Sequence, residues 1–213
     1  MRLGRIRPRS FYSRPVLEVA RELVGSVLVR RLDTGSILAG RLVEVEAYLG
    51  DGSDPSAHSH HGPTNRNRSM FGPPGRLYAY RIYGIHTCVN IVCDPPGVGS
   101  AILLRAAEPL VGADLMRAHR GLTDTAGAER IASGPGRLAQ AFGFELADDG
   151  ASVTTAELCI RAPTPGQPVP EVGTGPRVGI SKAVERPYRF FAKDDPWVSA
   201  WRAPKKKTKQ ESG

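Results

Sequence analysis

A single domain of mixed α and β structure is what this 213-residue chain predicts. Three observations carry the expectation. The length suits one compact domain with a sizeable core. Apolar runs of period two come in pairs joined by short turns, the pattern of antiparallel hairpins. A few helix-period segments flank them, and no internal repeat or second domain is visible.

Near the N-terminus the spacing predicts a helix over 15–24. Ser13 can cap it, Pro15 suits its first turn, and Val16, Leu17, Ala20, Leu23 and Val24 form one apolar face that Gly25 ends. Residues 27–32 read as a strand, 33–35 as a turn and 37–48 as a longer strand. On the longer strand Val43, Val45 and Ala47 share one face, and Leu42, Glu44, Glu46 and Tyr48 the other. Residues 50–75, rich in Gly, Pro, Ser, Asn and His, form a loop long enough to suggest function. Residues 77–82 and 87–92 are the arms of a hairpin with Tyr83, Gly84, Ile85 and His86 at its tip. A strand over 101–107 follows, then helices near 110–119 and 136–142. The second is entered through Ser133-Gly134-Pro135-Gly136, whose free N–H groups suit an anion. Strands are expected at 158–161, 177–181 and 188–191. From Pro204 the chain is polar and lysine-rich, so 1–203 is the expected domain and 204–213 a basic disordered tail.

The formal charge of +8 is unevenly placed. Arg2, Arg5, Arg7, Arg9 and Arg14 make the first 14 residues strongly basic. Arg202 and four lysines do the same near the C-terminus, and the centre is close to neutral. Global basicity therefore says little about nucleic acid. The local pattern says more: between Pro55 and Cys93 there is no carboxylate, yet Arg66, Arg68, Arg76 and Arg81 lie there. No apolar run approaches membrane-spanning length and no signal peptide is recognisable, so a soluble cytoplasmic protein is expected. Cys88, Cys93 and Cys159 form no CxxC and should stay reduced.

Glu46 is the candidate general base. Cleavage of an N-glycosidic bond passes through a sugar cation that an ionised carboxylate stabilises while it orients and deprotonates water. The plainer alternative leaves Glu44 and Glu46 on a solvated strand face. Arg105 closes the apolar run Ala101-Ile102-Leu103-Leu104 and calls for a carboxylate partner. It is either a structural ion pair or the group that holds a water and keeps Glu46 ionised at neutral pH. Tyr78 and Tyr80 share a face suited to core or to stacking. Tyr48, Tyr80 and His58 can sandwich an extruded base, and Tyr83 beside Gly84 can wedge into a base stack. The Asn90 amide can read a base edge. The loop His58-Ser59-His60-His61 matches no familiar zinc spacing, so no metal is expected. Two other classes stay open on these residues: a non-catalytic binder of damaged DNA or structured RNA, and a metal-dependent hydrolase using the histidine loop.

Taken together the chain resembles the alkyladenine (3-methyladenine) DNA glycosylase family, known in animals and many bacteria, and would be a bacterial member. The matching strings are VEVEAYLG (43–50), AHS (57–59), NRNRSMF (65–71), GRLYAYRIYGIHTCVNI (75–91), AILLRAAEPL (101–110), SGPGRLAQAFG (133–143), RVGISKA (177–183) and DPWVS (195–199). The resemblance implies an α+β fold: a single domain with a curved, mostly antiparallel sheet, a protruding β-hairpin and surrounding helices. It implies that Glu46 is the general base, that Arg105 positions the water and that the Ile180 carbonyl is the water's third contact. Tyr48, His58 and Tyr80 would enclose the flipped base, Asn90 would clash with the exocyclic amine of guanine, and Tyr83 would fill the gap in the duplex. Arg66, Arg68, Arg76, Arg81 and Lys182 would meet the DNA backbone. No metal or organic cofactor is implied. The partner would be double-stranded DNA containing damaged purines, bound by a monomer associated with the nucleoid. Attack by water rather than a lysine would leave an abasic site with the strand uncut, and no lysine precedes Lys182.

Overall fold

Among the described residues eight strands make one curled antiparallel sheet: β1 (Val27–Arg31), β2 (Ile37–Tyr48), β3 (Leu77–Ile82), β4 (His86–Cys93), β5 (Ser100–Val111), β6 (Leu158–Arg161), β7 (Val172–Gly175) and β8 (Arg189–Ala192). The computed structural model describes residues 3–82, 84–123, 125–163, 166 and 168–200. The order β3-β4-β5-β2-β1-β6 contains three antiparallel pairs of consecutive strands, β1–β2, β3–β4 and β4–β5, while β8 pairs with β2 and carries β7. β2 is long enough to serve two partners on one edge. Residues 37–41 pair with β1 and 44–46 with β8, while β5 covers the other edge. This is the α+β architecture expected.

The pairing of β2 with β5 is interrupted at one informative place. Leu42 pairs with Ala107 and Glu44 with Ala106, so Val43 is extra; then Val45 pairs with Leu104, so Arg105 is extra. Two bulges, one on each strand, compensate each other. Bulges re-aim side chains, and here they break the simple alternation: Leu42 joins Val43, Val45 and Ala47 in the main core instead of siding with the glutamates.

Helices α1 (Arg9–Tyr12), α2 (Val16–Leu23), α3 (Ala113–His119) and α4 (Pro135–Ala141) surround the sheet. α2 buries Val16, Val19, Ala20 and Leu23, the i, i+3, i+4, i+7 stripe. They join Leu77, Val89, Ile91, Ile102, Leu104 and the α4 residue Leu138 in the main core. Each covered aliphatic side chain contributes about 1.5–3 kcal/mol, which makes the sheet a firm platform. The N-terminal arginines are partly structural: Arg7 and Arg14 lie over the Phe11 ring, and Arg14 pairs with Glu22.

Several expectations change. Pro15, not Ser13, caps α2: its carbonyl accepts the N–H groups of Glu18 and Val19, while Ser13 Oγ donates back to Arg9. Residues 177–181 alternate like a strand but pair with no other; the neighbouring strand is β7, whose glycines hid it. The Gly134 N–H is not free for an anion, since it donates to the Arg105 carbonyl at 2.9 Å. The three cysteines are free and buried. Among the described residues no helix is long and apolar enough to cross a membrane. Tyr83 and the tail 204–213 lie outside the described residues.

Candidate active site

One face of the sheet is covered by the helical core; the other supplies a cavity, and period two decides which residues reach it. β3 gives Tyr78, Tyr80 and Ile82, β4 gives Cys88 and Asn90, β5 gives Ala101, Leu103 and Arg105, and β2 gives Tyr48. The loop after β2 adds Pro55, Ser56 and His58, and 178–182 close the far side, including Ile180 and Lys182. The cavity holds about 510 Å³, within the range of small-molecule sites.

Glu46 has no exposed surface. It stands one layer behind the cavity wall, because the three residues that touch its carboxylate all line the cavity. Oε2 accepts the Tyr48 hydroxyl at 3.0 Å, Oε1 accepts the Val178 N–H at 2.7 Å, and Arg105 Nη1 lies 3.3 Å from Oε1. A carboxylate offers about four acceptor positions, so one stays available on Oε2. Burial pushes the Glu46 carboxyl above the usual carboxylate range. Arg105, the Val178 N–H and the Tyr48 hydroxyl pull it back, and Glu44 adds to the rise. The expectation that Arg105 sets the ionisation of Glu46 therefore needs its sign qualified: the arginine limits a rise that burial dominates.

Arg105 also serves a second carboxylate. Its Nε donates to Glu44 Oε1 at 3.2 Å, and Glu44 receives Arg189 Nη1 at 3.0 Å and the Ser199 N–H at 2.9 Å. The bulge that leaves Arg105 without a cross-strand partner places its guanidinium across both acids. Neither glutamate lines a solvated face.

The aromatic end of the cavity is organised around His58. Its Nδ1 is 2.9 Å from the Tyr78 hydroxyl, and its ring meets Tyr80 edge-on at 4.6 Å. Tyr78 and Tyr80 stack with centroids 5.5 Å apart. Burial, then Arg66, holds His58 below its ordinary value and hence neutral at neutral pH. Burial pushes Tyr78 up to about 12. Tyr78 thus fixes one ring nitrogen of His58, a task sequence reasoning missed; the shared period of Tyr78 and Tyr80 was the available signal. Asn90 donates its amide N–H to the Tyr78 carbonyl at 3.1 Å, which fixes its amide orientation on the cavity wall.

A buried clamp closes the site from behind. Arg177 grips Asp54 with two bonds of 2.5 and 2.8 Å, donates to the Ala47 carbonyl at 3.1 Å, and lies 4.6 Å over the Tyr48 ring. Burial opposes the Asp54 charge, but Arg177 holds its carboxyl below the usual range. The clamp joins the loop after β2 to the segment carrying Val178, Ile180 and Lys182. On its other side the loop after β2 is packed against the turn before β5, where Gly50 permits the approach: a Cβ there would lie 2.3 Å from the Val98 carbonyl oxygen and the Gly99 carbonyl carbon.

Of the expected backbone-contacting arginines, Arg66, Arg68 and Arg81 are exposed. Arg66 donates to the Arg81 carbonyl and lies over Tyr80, at the cavity's aromatic end. Arg76 is half-buried and donates to the Gly150 carbonyl at 2.6 Å, at the foot of the hairpin. Among the described residues no three His, Cys, Asp or Glu side chains converge as metal ligands; His60 and His61 only meet edge-on.

The methylpurine-DNA glycosylase family pattern matches residues 10–196. A protein of Methanoculleus marisnigri is 48% identical over 194 residues, covering 90% of this chain and 97% of that one. One of Rhodopseudomonas palustris is 48% identical over 197 residues (92% and 89%), and one of Chlorobaculum parvum 47% over 199 (92% and 93%). All three are named, provisionally, as 3-methyladenine DNA glycosylases. With a match of this extent over the segments that build the cavity, the chain belongs to the methylpurine-DNA glycosylase family, enzymes that hydrolyse N-glycosyl bonds in DNA.

Proposed function

We propose that the chain flips an alkylated or deaminated purine out of duplex DNA into the aromatic cavity and hydrolyses its N-glycosidic bond with water activated by Glu46. The observation that carries the reading is a buried carboxylate, pinned by Arg105 at 3.3 Å, directly behind an aromatic cavity of purine-accepting size. The extruded base lies among Tyr48, Tyr80 and His58, with the Asn90 amide against its edge. The water takes the remaining acceptor position on Glu46 Oε2. Its oxygen bonds to C1′, its proton passes to the carboxylate, and the bond to the base breaks with its electron pair going to the base. A purine made cationic by alkylation leaves as a neutral base, so one carboxylate suffices. For deaminated purines His58, neutral with Nδ1 tied to Tyr78, has its second ring nitrogen free to hydrogen-bond the departing base without giving up a proton.

Because Glu46 is covered, the wall of Tyr48 and Arg105 must admit the water as the nucleotide enters, which sequesters the reaction from bulk solvent. Arg66, Arg68, Arg81 and Lys182 at the rim meet phosphates. The test is single-turnover excision from a one-lesion duplex, read by alkaline cleavage of the abasic product. Glu46→Gln should bind the duplex and release no base. Excision at the wild-type rate would remove Glu46 from the mechanism, and trapping of the enzyme on DNA by borohydride through Lys182 would replace water with a lysine nucleophile.

A further inference from the structure

The wall of the aromatic cavity has one seam. Most of the wall is carried by β2, β3, β4 and β5, whose pairing fixes the side chains they present. Residues 177–182 pair with no strand and cross the far side as a strap. The strap is tied at three points. Arg177 grips Asp54, the Val178 N–H donates to Glu46, and the Lys182 carbonyl accepts the Ser56 hydroxyl at 2.6 Å. The first two ties engage carboxylates, whereas the third joins neutral groups at the surface and is the easiest to part.

The backbone around the third tie is bent out of ordinary geometry. Gly179 and Ala183, on either side of residues 180–182, have φ of 78° and 46°. That left-handed region is open to glycine and strained for alanine, so presenting the Lys182 carbonyl to Ser56 carries a conformational cost. A Cβ on Gly179 would meet nothing within 4 Å, which leaves the strap room to move there. Ser56 and Lys182 both line the cavity, one from the loop after β2 and one from the strap, so their hydrogen bond joins two walls.

We infer that Ser56 is a positioning residue that sets lesion specificity: through the Lys182 carbonyl its hydroxyl holds the strap closed, favouring two-ring purines over bases with a third fused ring. The inference rests on the reading that the cavity receives the extruded purine. A two-ring base enters without parting the walls and gains contact with a strap already held. A three-ring base is wider and parts the walls at their weakest tie. Losing the hydroxyl therefore moves the two classes of base in opposite directions, which a general loosening of the fold would not do.

The test measures binding of the full-length protein to duplexes carrying one hypoxanthine, a two-ring base, or one ethenoadenine, a three-ring base. Each lesion sits on a 2′-fluorinated sugar, whose electron-poor ring resists cleavage, so no base is released during the measurement. Hydrogen exchange of the amides of residues 179–183 is followed on the same proteins. One hydrogen bond between neutral groups shifts an equilibrium by about two- to tenfold. Ser56→Ala should accordingly exchange these amides about threefold faster, bind the hypoxanthine duplex about threefold more weakly and bind the ethenoadenine duplex about threefold more tightly. Ser56→Thr, which keeps the hydroxyl, should restore the wild-type ratio of the two affinities. An unchanged ratio in Ser56→Ala overturns the inference even if exchange is faster, because the tie would then be merely structural. An equal loss of affinity for both lesions overturns it as well. Release of base from ordinary lesions is read separately: a wild-type protein that releases none, while Ser56→Ala still shifts the ratio, sinks the glycosylase mechanism and leaves the role of Ser56 standing.

Discussion

Glu44 and Glu46 sit two residues apart on one strand face, both fully buried, both touching Arg105, yet their surroundings differ in kind. Glu44 is enclosed by Arg105, Arg189 and the Ser199 N–H, and of these three Arg105 alone lines the aromatic cavity. Glu46 has one arginine, one backbone N–H and a tyrosine hydroxyl, all on the lining of the aromatic cavity. The first arrangement anchors a guanidinium. The second carboxylate has as many donors, but its open acceptor position is on Oε2 beside the aromatic cavity, and burial raises its proton affinity. In the proposed mechanism, what separates the two acids is an open acceptor position on the side of a cavity.

The comparison can be broken most directly at Glu46. Glu46→Gln keeps the shape, offering its carbonyl to Val178 and Arg105 and its amide to the Tyr48 oxygen. Excision should fall by about 10²–10⁴-fold, while urea unfolding should find the protein no less stable at neutral pH. The sign follows from linkage: a carboxyl whose folded value is raised contributes stability below its unfolded value and loses it as pH rises through the folded one. Glu44→Ala should do the opposite. It strands two arginines and an N–H, and should cost about 3–5 kcal/mol in urea unfolding. A Glu44 variant as stable as wild type would erase the distinction.

Arg177→Lys tests how the wall is held. It loses the two-pronged grip on Asp54 and the plane over Tyr48. Excision should slow by about tenfold, with its acid limb moved to higher pH as the Val178 N–H loosens from Glu46; a slower rate with an unmoved limb would make the clamp merely structural. The smallest effect belongs to Tyr78→Phe, which frees His58 without touching either glutamate. It should change excision by about fivefold, more for deaminated than for cationic lesions, and leave the acid limb where it was.

Much of this was legible in the sequence, for a physical reason. Period two alone places Tyr78, Tyr80, Asn90, Glu46 and Tyr48 on one sheet face, and the observed bounds of β2, β3 and β6 are those the alternation predicts. What escaped depends on irregular backbone. The paired bulges at Val43 and Arg105 have no composition of their own, so neither the move of Leu42 into the core nor the reach of Arg105 across both glutamates could be read. Val178 and Ile180 alternate as in a strand, but the Val178 N–H goes to a carboxylate instead of a ladder. Asp54 and Arg177 are 123 residues apart, and nothing local marks them as partners.

The pH profile of single-turnover excision, measured for wild type and Arg105→Gln on a 3-methyladenine duplex, tests the central claim most directly. The base must be ionised, so rate is lost as pH falls through the Glu46 value. Burial should place the wild-type limb above the ordinary carboxylate range, and removing Arg105, the largest influence holding that value down, should move the limb higher still. A wild-type limb at an ordinary glutamate value, or one that does not move in the variant, would contradict the account.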